Sequence, residues 1–422
     1  MKRLLLALGC VGILLHSPSY ADNIIVSGNV SGTWSTGDSV TVVGDITVPG
    51  GESLAIEPGV IVLFTGRYRF NINGLLLAAG SESDPVTFTR AEETEESKWR
   101  GFRFDGADDS SLLEYCLIEW AKGDGAYPDV RGGGIWINNC SPTVRFCTIQ
   151  NNYTHNANYN GAGGGICLNE NSTSVIENNH ILMNEADSGG GILVGWECDP
   201  VIRNNLIEDN EAFYAGGGIY VSANGRSSIE NNVILSNNSG GWGGGGINLW
   251  SATWLYGTFS TLDNNLIVGN TASDAGGGIY SRYDTSLLTN NTISENQANR
   301  GGGVYVLTFD YLPPVLHNDI LWNDTAPLGQ EIYLDPAAGS EAVITYSDVE
   351  GGWAGSGNID EDPLFSGQIS GEFDLSPGSP CIDSGDPVSD VPRGGGCRID
   401  MGAYEFWKGF NCRKYRIPAM AF

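Results

Sequence analysis

The amino-acid sequence predicts an all-β chain wound as one parallel β-helix, a solenoid of short strands with an irregular C-terminal cap. Three observations carry the prediction. An isoleucine recurs as Ile118, Ile149, Ile181, Ile207, Ile234, Ile267, Ile293 and Ile320, usually 26 or 27 residues apart, and self-similarity at such a period marks stacked repeats. Glycine triplets precede alternating apolar pairs: Ile135/Ile137, Ile166/Leu168, Ile192/Val194, Ile219/Val221, Ile247/Leu249 and Val304/Val306. Such alternation buries one face of a strand. No ten-residue stretch of this region keeps a helical period. A repeat of about 26 residues holds three short strands and three turns, one coil stacked roughly 4.8 Å from the next.

Residues 1–21, MKRLLLALGCVGILLHSPSYA, join two cations, an apolar run and a small-residue site, the pattern of a cleaved secretory signal. The run is too short for a stable membrane-spanning helix, and no later segment is apolar enough to cross a membrane. The solenoid is expected over 22–354, with weak N-terminal coils over 38–110 (SVTVVGDITV, SLAIEPGVIVLF, KWRGFRFDG) and regular repeats over 111–350. Beyond Glu350 the rhythm fails, in words rich in Pro, Gly and Asp such as GNIDEDPLF, LSPGSPCIDSGDP and RIDMGAYEF. An uncovered last coil exposes open strand edges, so 355–406 is assigned as the cap. Residues 407–422 form a basic tail.

Within the repeats, equivalent residues fall into columns. Asn178, Asn204, Asn231, Asn264 and Asn290 share one; Asn179, Asn205, Asn232, Asn265, Asn291 and Asn318 share the next, and His317 continues the asparagine column. Stacked amides are expected to hydrogen-bond along such columns. Glycine triplets permit positive φ and close backbone approach at another corner. Glu114, Arg145, Glu177, Arg203, Glu230 and Asp263 make an outward charge column, where opposite neighbours are mildly stabilising. All of these are structural expectations.

Composition narrows the function. Without Lys2 and Arg3 the chain keeps 19 Lys+Arg against 50 Asp+Glu, a formal charge of −31. That surface repels nucleic acid and acidic membranes, so neither is an expected partner, and the chain is expected to be a monomer. A polyanionic substrate would need a cation such as Ca²⁺ to bridge it, and no other cofactor is indicated. There is no CxxC or HExxH, no serine triad can be assembled, and NIDEDP lacks EF-hand spacing. A carboxylate pair for glycoside hydrolysis is open among Asp187, Glu197, Asp199 and Asp274.

The more coherent signal is aromatic. The outward position after each triplet carries Trp136, Cys167, Leu193, Tyr220, Asn248, Tyr280 and Tyr305, and the bordering loop carries Asp187, Tyr214, Trp242, Asp274 and Asn299. Aromatic faces pack on the apolar faces of sugars while Asp and Asn bond the hydroxyls. Ligand contact is therefore expected at Trp136, Tyr214, Tyr220, Trp242, Tyr280 and Tyr305; packing of these rings beside one another is the plain alternative. Two insertions, YTHNANYNGA and SATWLYGTF, enlarge the borders of this side. Cys116 and Cys147 share a column, about 5 Å apart by the stacking distance and within disulfide range; Cys381 and Cys397 form a second candidate pair in the cap. Free thiols are the alternative for both.

The words I-x-x-N and GGG[IV] resemble the F-x-x-N and GGA[ILV] repeats of polymorphic outer-membrane proteins. More broadly, residues 38–350 resemble the right-handed parallel β-helix, or pectin-lyase-like, superfamily. SPCIDSGD with DMGAYEF resembles the choice-of-anchor C-terminal segment of secreted bacterial β-helix proteins. The resemblance implies the fold and its right hand; in function it spans lyases, hydrolases, epimerases and adhesins. It implies that a lyase would use Lys or Arg as base with carboxylate-held Ca²⁺, for which Arg282 and Arg300 are the candidates. The leading expectation is a secreted or cell-surface protein that binds polysaccharide or another surface ligand along an aromatic-lined face. The alternatives are a calcium-assisted polysaccharide lyase acting on an acidic glycan and a non-enzymatic adhesin.

Overall fold

One coil explains the rest. Val201–Arg203 turns through two asparagines into Leu206–Glu208, which turns through Asp209 and Asn210 into Glu211–Ala215; the glycines 216–218 then lead into Ile219–Val221. Each of these strands pairs in parallel with its counterparts one coil before and after, so Ile207 lies on Ile181 and Ile234, and Ile219 on Ile192 and Ile247. The computed structural model describes residues 23–155, 160–222, 224–251, 259–308, 313–367, 372–392 and 396–406. The proposed signal and tail, and parts of the two loop insertions, lie outside these residues.

Three long parallel sheets result. They are called here the valine sheet (strands such as Val201–Arg203, 12 in all), the isoleucine sheet (Leu206–Glu208) and the glycine-side sheet (Ile219–Val221). A short sheet of six strands, Lys122–Gly123 to Thr271–Ala272, joins the last two. The inward files make a continuous hydrocarbon core, with Ile202, Ile207, Ile219, Ile229 and Ile234 fully buried. The early coils fill the same interior with rings, and Phe64 stacks on Trp99 at 4.3 Å while Phe70 stacks on Phe102 at 5.2 Å.

The two asparagines of each pair do different work. The second forms a ladder: Asn205 Oδ1 accepts from the Asn179 backbone N–H (2.9 Å) and Nδ2 (3.0 Å), and Asn205 Nδ2 donates to Ile176 O (2.9 Å) and Asn232 Oδ1 (3.0 Å). The first takes the left-handed conformation, with φ 55° at Asn178, 56° at Asn204 and 54° at Asn231, which Asn tolerates better than most residues. Stacking through both columns was expected; only one forms a ladder. A parallel ladder runs from Asn152 through Asn184, Asn210, Asn237 and Asn270 to Asn296.

The glycines also divide. The first of a triplet has positive φ (66° at Gly216), whereas the second and third lie under the next coil. A Cβ on Gly217 would stand 2.5 Å from the carbonyl oxygens of Asn238 and Gly245. Where the stack ends the triplet becomes Gly329, Gln330 and Glu331. The charge column forms as expected, with Arg145–Glu114 at 2.8 Å and Arg203–Glu177 at 2.7 Å.

The structure corrects two expectations. In the coil after Ile293 the register moves by one: Leu321, not Ile320, aligns with Ile293, and Leu316 with Leu288. Asp319 and Asp324 therefore end the two ladders, and His317 lies on the valine sheet beside Thr289 and Thr345 instead of continuing the amides. The C-terminal segment, moreover, covers the flank of the solenoid as well as its end. Phe365, Phe373, Leu375, Cys381 and Met401 pack on the outward side chains Leu266, Val268 and Ile320, with Val233, Leu235 and Trp322 beside them. Gly402 N donates to Asn318 O (2.7 Å) and Ala403 N to Thr292 Oγ1 (3.0 Å). At the end itself, Ile359 bridges to Asp348 in the last strand of the isoleucine sheet.

Candidate functional site

The outward file of the glycine-side sheet is continuous from Thr47 through Asn71, Arg103, Trp136, Cys167, Leu193, Tyr220, Asn248, Tyr280 and Tyr305 to Tyr333. Outward does not mean exposed. Trp136, Tyr220, Tyr280 and Tyr305 retain only 5, 8, 8 and 2% of their surface. Trp136, Cys167, Leu193 and Tyr220 pack together under Ala162 and beside Trp250, and Tyr280 and Tyr305 pack under Ala275 beside Tyr333. Tyr280 and Tyr305 stack at 4.9 Å with an interplanar angle of 4°. These four rings are an outer packing layer, as the plain alternative expected, and burial pushes the Tyr220 and Tyr305 hydroxyls up from their ordinary pKa.

Tyr214 and Trp242 sit elsewhere. Tyr214 lies in the short sheet and Trp242 in the loop after the next strand of that sheet, Asn238–Ser239, where a row of rings lies near the surface: Phe213 against Tyr214 at 4.8 Å, and Tyr214 beside Trp242 at 5.7 Å. Phe213 is 54% exposed and Trp242 61%. His155 lies 6.5 Å from Phe213 and 6.3 Å from Tyr153. The adjoining outward file runs Lys122, Tyr153, Glu185, Glu211, Asn238 and Thr271. Burial, and then Glu211, raise the Glu185 carboxyl above its usual range. The ridge thus sets ring faces beside carboxylates and an amide. Phe213, Tyr153 and His155 were not singled out from the sequence; the run Phe213-Tyr214 within the short strand was the available signal.

The catalytic candidates do not converge. Asp187 is fully buried, pairing with His155 Nδ1 while its Oδ2 accepts from Gly161 N (2.7 Å). Arg300 is held by both oxygens of Asp274 at 2.8 and 2.7 Å, and that contact raises its pKa, opposite to the need of a base. Arg282 lies over the rings of Tyr283 and Trp250, at 4.9 and 6.0 Å. Calcium fares no better: among the described residues no three His, Cys, Asp or Glu side chains are grouped to hold a metal ion. In NIDEDP the carboxylates of Asp360 and Asp362 instead accept from Gly351 N (3.0 Å) and Leu364 N (2.9 Å). The residues present do not fit the ion, and no chemistry is routed through it.

The cysteines among the described residues are free thiols. Cys116 and Cys147 are buried and stacked, and burial with the neighbouring thiol raises the Cys116 pKa. Cys381 and Cys397 do not pair: the Cys381 thiol donates to Asp348 Oδ2 at 3.1 Å, and Cys397 is exposed. The cap was thus expected to be closed by sulfur and is joined to the solenoid by a buried thiol–carboxylate contact.

Comparison with known proteins bears on the fold. A family model described as the right handed beta helix region matches residues 96–256. No curated protein matches the chain. Among solved structures, the crystal structure of pectate lyase Pel9A aligns with a TM-score of 0.43 and 14% identity, over 88% of this chain and 88% of that one. The strand register shows an all-β parallel β-helix, and the right hand is that of the family model matched over residues 96–256.

Proposed function

We propose that this protein is a secreted or surface-displayed β-helix that binds polysaccharide along the ridge of Phe213, Tyr214 and Trp242. The observation that carries this reading is the exposure of Phe213 and Trp242, 54 and 61%, in a row of adjoining rings along one side of the solenoid. An exposed aromatic row is costly to keep wet, and it suits the apolar faces of sugar rings. Glu211 and Asn238, paired neighbours on the adjoining file, supply the acceptors and donors for hydroxyls. The leader-like residues 1–21 support export.

The test is retention on insoluble and immobilised polysaccharides, followed by titration of each one retained. The double variant Tyr214→Ala, Trp242→Ala is expected to weaken binding at least about tenfold, the equivalent of roughly 1.4 kcal/mol. Unchanged retention by the double variant, with an unchanged circular dichroism spectrum, rejects the ridge as the ligand surface.

A further inference from the structure

The N-terminal coils hold a second polar feature, apart from the ridge. A groove of about 310 Å³ opens over the glycine-side sheet, lined by Arg69, Asn71, Arg103, Asp129 and Trp136 among others. At its floor Arg103 is 5% exposed. Its guanidinium donates to three carbonyl oxygens: Nη1 to Phe102 O (3.1 Å) and Gly132 O (2.8 Å), and Nη2 to Asp129 O (3.2 Å). No carboxylate forms an ion pair with it among the described residues, since the Asp129 carboxylate is taken by Arg69. Buried charges are ordinarily paired, because an unpaired one bears its full desolvation cost.

The buried hydrogen-bonding capacity left unfilled here is all of one kind, while the exposed Asp105 carboxylate at the groove's edge accepts from Asn138 Nδ2 (2.8 Å). Arg103 Nε, Arg69 Nε and Trp136 Nε1 are buried N–H groups without an acceptor. Buried donors without an acceptor are ordinarily few; the Nε atoms of Arg100, Arg131, Arg282 and Arg398 are others in this chain, and what sets these three apart is that they border one groove. We infer that this groove binds a single oxyanion, a carboxylate or sulfate group, seated on Arg103 with Trp136 and Arg69 donating from the sides. Burial lowers the Arg103 pKa only to about 10, so the guanidinium stays charged at neutral pH. An oxyanion offers several lone pairs to the planar fork of donors, which a neutral hydroxyl does not. Because the whole chain carries a net charge of −29, its long-range field opposes anions; recognition must come from these short-range donors. The competing account is a strap: Arg103 only ties the segment 129–132 to the sheet.

Saturation-transfer NMR and calorimetry on the full protein decide, with glucuronate, glucose 6-sulfate, inorganic sulfate and glucose as probes at one ionic strength. The acids are expected to bind and glucose not to. Inorganic sulfate binding as tightly as the sugar acids assigns the groove to the free anion, and tighter sugar acids assign it to a substituent; either supports the site. Arg103→Met should cost at least tenfold in affinity, Arg103→Lys should retain part of it, and Tyr214→Ala, Trp242→Ala should leave it unchanged, which separates this site from the ridge. Glucose binding as well as the acids, or no acid binding to the folded protein, overturns the inference. So does an Arg103→Met variant with a lowered melting temperature and unaltered acid binding, which leaves the strap as its only role.

Discussion

Adjacent asparagines in this chain should differ in their cost of replacement by several kcal/mol, and Asn204 and Asn205 are the pair to test. Asn205 is fully buried, and its amide satisfies the Asn179 N–H and Nδ2, the Ile176 carbonyl and Asn232 Oδ1. In Asn205→Ala the last of these keeps a donor, because Asn205 N still reaches it at 2.9 Å. The Asn179 N–H and the Ile176 carbonyl lose this partner, and Asn179 Nδ2 keeps one of its two bonds, to Val144 O (2.9 Å). At about 1–3 kcal/mol for each buried group left unsatisfied, and allowing for a water entering the vacated space, the loss is about 3–6 kcal/mol. Asn204 is only half-buried and holds φ at 56°. Glycine accepts that conformation without strain, so Asn204→Gly should lie within about 1 kcal/mol of the parent. Urea denaturation followed by circular dichroism, with tryptophan fluorescence as a second probe, measures both. Equal costs for the two variants, or an Asn205→Ala loss below about 1 kcal/mol, would refute the ladder as a source of stability.

Three more outcomes follow from the same structure. Buried Asp319 and Asp324 are pushed up to about 7 and Asp348 to about 6; their folded forms hold protons that unfolded carboxylates release near pH 4. The contribution of these three groups to stability is therefore fully present below about pH 4 and is lost as pH rises through 6 to 7, and the melting temperature of Asp319→Asn should depend less on pH than that of the parent. Gly217→Ala, whose Cβ would meet two carbonyl oxygens at 2.5 Å, should cost more than about 3 kcal/mol, whereas Gly339→Ala, at φ 62° in open space, should cost about 1–2 kcal/mol; unfolding midpoints compare them. Met401→Asp puts a charge into the fully buried contact of the cap with Ile320, so limited proteolysis should cut within 355–406 earlier while the solenoid persists; cleavage as slow as in the parent would count against a separable cap.

What was legible in the sequence is whatever repeats. The inward files, the charge column and the triplet corner each recur over several successive coils, so one register accounts for many residues at once. The αL asparagines and ladder asparagines were not distinguished, because adjacent identical residues carry no mark of which one turns inward. The shift at the last coil has a sharper cause. In LHNDILWND both Ile320 and Leu321 are apolar, so the rule that apolar means inward cannot choose between them. Ile320 is apolar because the cap covers it from outside. The same covering explains Val233, Leu235, Leu266 and Val268, outward positions where Glu208 and Gln150 stand on other coils. Apolar residues on the wrong parity of a strand are thus a readable signal that a second segment lies on the flank.

The aromatic file shows the converse error. Parity correctly placed Trp136, Tyr220, Tyr280 and Tyr305 outside the barrel, yet parity says nothing of what folds over that side. The covering contacts include Ala162 and Ala275, which precede glycine triplets and bring almost no side chain of their own. A small residue at the corner lets the backbone lie down on a large ring; a bulky one would hold it away. An outward ring coiled beside such an Ala-Gly-Gly-Gly corner should therefore be assigned to packing, and a ring in the strand or loop that leads into the corner, as at Phe213 and Trp242, to solvent. By that criterion the exposed ridge was within reach of the sequence, while the groove over Arg103 was not. Its floor is one outward file, Thr47, Asn71, Arg103 and Trp136, in which no residue type recurs, and its wall includes Asp129 from a loop, so only the three-dimensional count of donors against acceptors distinguishes it.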